Sequence, residues 1–76
     1  MKELLLYIAK NLVDNPDDVS VTEREDGTEI VLELRVASGD MGKVIGRQGR
    51  IAKEIRTLVK SLAQRNGKRV SVDIVD

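Results

Sequence analysis

Gly42-Lys43-Val44-Ile45-Gly46-Arg47-Gln48-Gly49-Arg50-Ile51 decides how this sequence is read. Gly46 and Gly49 flank two polar residues, with apolar helical patterns on either side. Glycine reaches backbone conformations closed to other residues and lets another chain approach closely. The first N–H groups of a helix starting after Gly49 lack intrahelical partners and sit at the positive end of its dipole. Such a turn attracts phosphate. Lys43, Arg47 and Arg50 add formal charge around it, while Val44, Ile45 and Ile51 supply an apolar wall. Other glycine signatures fail here. A P-loop needs G-x-x-x-x-G-K-[ST], but Gly42-Lys43 is followed by Val44, and Ala37 stands where the first glycine belongs. A dinucleotide fingerprint needs G-x-G-x-x-G, and the first G-x is missing.

Outward from the turn, short and long helices are expected over residues 41–45 and 50–65. Ile51, Ile55, Leu58, Val59 and Leu62 form the long helix's apolar stripe, with Arg50, Lys53, Arg56 and Lys60 on its other side. Asn66-Gly67 stops it. Ser38-Gly39-Asp40 precedes the short helix, with Asp40 as its expected N-cap. Further out, Ile30, Leu32, Leu34 and Val36 alternate with Val31, Glu33 and Arg35, as Val19 and Val21 do with Ser20 and Thr22. Asp26-Gly27 between them signals a hairpin. Val70, Val72 and Ile74 give a last strand. Residues 2–14 read as a first helix closed by Asn15-Pro16, its apolar sector broad enough for a second contact surface. The order αββααβ gives an α+β fold, a two-layer sandwich of three strands with three helices on one face.

Composition narrows the function. The 76 residues hold 13 Lys+Arg, 13 Asp+Glu and neither His nor Cys. The commonest general base, the thiol nucleophile and ordinary zinc ligands are therefore absent. Neither an enzyme nor a metal or other cofactor is expected. Asp40 and Glu54 read as a cap and a helix-surface charge, and no histidine activates Ser20, Ser38, Ser61 or Ser71. Zero net charge hides a segregation. Residues 1–34 carry three bases against nine acids, a net of −6, and residues 35–76 carry ten against four, a net of +6. Between Gly42 and Arg69, nine bases face Glu54 alone. A basic surface on a neutral chain favours a polyanion partner. No apolar run approaches the ~18–20 residues of a membrane span. The expectation is a cytoplasmic protein of one domain, residues 1–76.

In this element order, Val44-Ile45-Gly46-Arg47-Gln48-Gly49-Arg50-Ile51 resembles the I-G-x-x-G core of KH domains, whose loop clamps about four backbone nucleotides. The helix-first order is similar to the type II arrangement. Over the whole chain the resemblance is to the small bacterial single-KH family often called KhpA. It implies single-stranded RNA, or DNA, in a groove beside the loop. Gly46, Arg47, Gln48 and Gly49 would be the clamp, and Val44, Ile45 and Ile51 the groove wall. Lys43, Arg50 and Lys53 would contact phosphate. The family also implies a homodimer, or a heterodimer with a larger Jag-type RNA-binding protein. It implies RNA-chaperone activity and control of cell length and cell-wall synthesis. The rival reading is a protein–protein adaptor that carries little RNA. The loop Glu25-Asp26-Gly27-Thr28 is acidic and adds little to a groove. Tyr7, the lone aromatic, lies far from the motif, unlike folds that read bases by stacking.

Overall fold

A computed structural model describes residues 1–75; Asp76, the last residue of the expected domain, lies outside the described residues. The elements are α1 (Lys2–Leu12), β1 (Ser20–Asp26), β2 (Glu29–Arg35), α2 (Met41–Ile45), α3 (Arg50–Arg65) and β3 (Arg69–Val75). Single 3-10 turns occupy Pro16–Asp18, Ser38–Asp40 and Arg47–Gly49. The order is the expected αββααβ. Sheet order is β1-β2-β3, with β1 antiparallel and β3 parallel to the central β2.

Alternation does its work on the inner face. Val21 pairs with Leu34, and Leu32 and Leu34 pair with Val72 and Ile74. Together with Leu5 and Ala9 of α1, Val44 of α2, and Ile55, Val59 and Ala63 of α3, these residues build one core. The hairpin turns at Gly27, whose φ of +64° suits glycine. The outer face is polar apart from Val31 and the half-buried Val75, which pairs with Arg35. Val31 is 6% exposed, in register with Arg24 on one side and Ser71 on the other. Arg24 reaches diagonally over β2 to Glu33 (3.9 Å) and Asp73 (4.0 Å).

Two expectations shift. Helix α1 ends at Leu12, not at residue 14, with Val13 extended at φ −99°, ψ 162°. Instead of bonding back into the helix, the next two N–H groups donate to the Asp40 carboxylate: Asp14 to Oδ1 (3.3 Å) and Asn15 to Oδ2 (3.0 Å). The stripe of α3 is also rotated. Ala52, Ile55, Val59 and Ala63 are buried, whereas Leu58 is 46% exposed. Alanines let the helix sit close against β3, and the bulkier Leu58 is displaced to its flank.

Candidate nucleic-acid interface

The turn between α2 and α3 is built by backbone angles that side chains rarely permit. Gly46 ends α2 at φ 76°, ψ 176°, its N–H donating to the Gly42 carbonyl at 2.9 Å. Gln48 follows at φ 58°, ψ 24°, and Gly49 at φ 74°, ψ 14°. The chain then passes directly into right-handed helix at Arg50 (φ −63°, ψ −42°). Adjacent left- and right-handed residues are a backbone arrangement that can turn N–H groups toward an anion. Here the Gly49 N–H donates to the Gly46 carbonyl at 3.2 Å and the Arg50 N–H to the Arg47 carbonyl, so both are engaged within the turn. No side chain among the described residues caps α3 there. The amides of its first turn lie at the positive end of a 16-residue helix.

Gly46 is required twice over. Besides its φ, a Cβ there would lie 2.6 Å from Ile51 Cγ1. Glycine at this position thus lets Ile51 fold back against the turn. At Gly49 no atom lies within 4 Å of a Cβ, so only the angle selects glycine.

The sequence-predicted residues fall into three groups. Arg47, Gln48, Arg50 and Lys53 are exposed around the turn, and Gly46, Gly49, Ile45 and Ile51 are half-buried beside them. Val44 is 0% exposed. It cannot form the surface of a groove wall, because it is the residue by which α2 plugs into the core. Lys43 lies one helical turn before Gly46 and is engaged already, its Nζ 3.2 Å from Asp14 Oδ2.

Asp40 corrects another expectation. It precedes α2 but makes no side-chain cap. At 1% exposure, its carboxylate accepts instead from the two N–H groups after α1 and from Asn15 Nδ2 (3.0 Å). Burial alone would raise its pKa. The Asn15 amide, the N–H groups of Asp14 and Asn15 and the Lys43 charge outweigh that and hold it below 3.8. The buried carboxylate clamps the start of α2 to the end of α1, and so helps fix the glycine turn.

Sequence reading placed Arg56 and Lys60 on one side of the long helix but did not include them in the site. Arg56 Nε donates to the Val72 carbonyl of β3 at 3.2 Å, so this side of α3 faces the edge strand. A shallow cleft there is lined by Glu29, Arg56, Lys60, Val70, Ser71 and Val72. Arg56 and Lys60 descend this flank, about 6 Å apart at 1.5 Å per residue. Their spacing on one face was the available signal. Leu58 stands beside Glu54, Thr57 and Ser61 in an open surface that it shares with Arg50 and Lys53. Among the described residues no group of three or more carboxylates, histidines or cysteines is placed to hold a metal. No described helix is long and apolar enough to cross a membrane.

Residues 2–74 match the family model for the KhpA/KhpB KH domain. A protein of Clostridium acetobutylicum named RNA-binding protein KhpA is 59% identical over 75 residues, covering 99% of this chain and 100% of that one. A protein of the same name from Listeria monocytogenes is 49% identical over 76 residues, covering 100% of both. Among solved structures, Era in complex with MgGDPNP and nucleotides 1506–1542 of 16S ribosomal RNA superimposes with a TM-score of 0.65. The likeness covers 96% of this chain and 28% of that one at 21% identity, and is one of fold.

Proposed function

This chain belongs to the KhpA/KhpB KH-domain family, and from that premise we propose that it binds single-stranded RNA at the Gly46–Gly49 turn. The observation that carries the reading is the backbone: Gln48 and Gly49 both left-handed, opening onto the uncapped first turn of α3. The positive end of α3 attracts a phosphate, and Arg47, Arg50 and Lys53 neutralise its neighbours. Ile45 and Ile51 offer an apolar surface to the bases. The strand then follows α3 toward Arg56 and Lys60 at the β3 edge. About three or four neutralised phosphates give a log–log salt slope of roughly −2 to −3.

The test is a titration of short single-stranded RNA against wild type and an Arg47→Asp/Gln48→Asp variant at several salt concentrations. Aspartate is among the residues that tolerate the left-handed region, so position 48 accepts it and circular dichroism reports an intact fold. Salt-sensitive wild-type binding that the folded variant loses supports the clamp. Equal binding by both refutes it.

A second role in self-association rests on Leu58, a large apolar side chain left 46% exposed on α3. Its partner is a second copy or a larger KH protein of the Jag type. With two grooves, a dimer gains affinity through effective concentration. RNA-chaperone action and a part in cell-length or cell-wall control belong to this reading through the family resemblance alone.

A further inference from the structure

The Lys43 ammonium lies 3.2 Å from Asp14 Oδ2, and Asp14 is held in place by Asp40. The N–H of Asp14 donates to Asp40 Oδ1 at 3.3 Å, while Asn15 gives its N–H and its side-chain amide to Oδ2, both at 3.0 Å. Asp40 itself begins the 3-10-to-helix step into α2, three residues before Lys43. One buried carboxylate thus positions a second, surface carboxylate over a lysine of the RNA site. We propose that Asp14 is an affinity-setting residue for RNA: it occupies Lys43, so that an incoming phosphate must displace a carboxylate to use that charge.

This inference rests on the RNA-binding reading above. Both side chains remain accessible, Lys43 at 43% and Asp14 at 75%, so the pair is open to exchange. Carboxylate and phosphate oxygens compete for the same ammonium. Exposed ion pairs contribute little partly because two long side chains must be ordered. Here the short Asp14 side chain hangs from a backbone already pinned at two successive N–H groups, which lowers that cost. Bound at Lys43, Asp14 withholds a positive contact from the phosphate path. The end of α1 therefore governs how much charge the glycine turn offers.

The experiment is a double-mutant cycle in RNA affinity, read by anisotropy of a short labelled single-stranded RNA of mixed sequence at several salt concentrations. Asp14→Asn is expected to tighten binding about two- to five-fold and to steepen the salt slope by about 0.7, one extra phosphate contact. Lys43→Met is expected to weaken binding less in the wild type, where Asp14 already holds the ammonium, than in the Asp14→Asn background, where it removes the gain. Asp17→Asn removes the same charge from the adjacent turn and controls for long-range field. Asp14→Ala, checked by circular dichroism, repeats the test with a second side chain. If RNA binds the wild type but Asp14→Asn and Asp14→Ala match it or match Asp17→Asn, this inference falls and the binding reading stands. A gain that survives Lys43→Met also overturns it, since relief of repulsion then suffices. If no variant binds RNA, the binding reading fails and takes this inference with it.

Discussion

Replacing Gly46 by alanine should damage this fold far more than the same change at Gly49, three residues away. Gly46 sits at φ 76°, ψ 176°, a region occupied almost solely by glycine, and strain there costs about 1–3 kcal/mol. The new Cβ would stand 2.6 Å from Ile51 Cγ1 and 2.9 Å from its Cβ. The Ile51 Cβ is fixed to the α3 backbone and cannot swing away, so overpacking adds about 1–3 kcal/mol. The sum, about 2–6 kcal/mol, compares with roughly 4–11 kcal/mol for a whole domain of this length. At Gly49 the angles are φ 74°, ψ 14° and no atom crowds the site. Left-handed strain alone then costs about 1–2 kcal/mol. Urea unfolding followed by circular dichroism separates the two. With a slope near 1 kcal/mol per molar for a small domain, the midpoint drops about 2 M or more for Gly46→Ala and about 1–2 M for Gly49→Ala. Shortening Ile51 isolates the clash: Gly46→Ala should cost about 1 kcal/mol less when introduced into Ile51→Ala than into wild type. Equal losses at both glycines, or a cost unchanged by Ile51→Ala, would refute the packing argument.

Other outcomes follow from the same geometry. The folded-state pKa of Asp40 is depressed, so its contribution to stability is complete above 3.8 and fades as pH falls through the lowered folded value. Asp40→Ala should therefore lower the unfolding midpoint at neutral pH and flatten its acid limb; an acid limb unchanged in slope would contradict this. Leu58→Asp, on an exposed flank, should leave the midpoint within about 0.5 kcal/mol of wild type while weakening any self-association seen by sedimentation. A strictly monomeric wild type removes the case for that surface. Arg47→Asp/Gln48→Asp and Asp14→Asn should move RNA affinity in opposite directions with the fold intact.

The layered fold was legible because its signals are local. Asp26-Gly27 between two alternating runs specifies a hairpin, and Val21, Leu32 and Val72 recur at the period of a strand. The glycine turn was legible too, since two glycines around two polar residues have few other uses between helices. What escaped depends on partners distant in sequence. Asp40 follows Ser38-Gly39 and precedes a helix, so local pattern assigns it a cap, yet its partners are Asp14 and Asn15, about 25 residues earlier. Lys43 read as a free charge for the same reason. Ala52 and Ala63 carry too little hydrophobicity to mark a buried stripe, although both are buried and Ala63 packs into the core. Val44 looked like groove lining because periodicity tells which face a residue shares, not how deep that face lies.

The bond from Arg56 to the Val72 carbonyl bears on what the sheet itself can do. β3 is an edge strand, and an uncovered edge presents main-chain groups on which another strand can add. A side chain from α3 occupies one of those acceptors, and the guanidinium beyond it sets a cation across the approach. A fourth strand would have to break that bond and bury the charge. The helix that bears the basic flank thereby also covers one acceptor of that edge, and adding a polypeptide strand there carries the cost of freeing it.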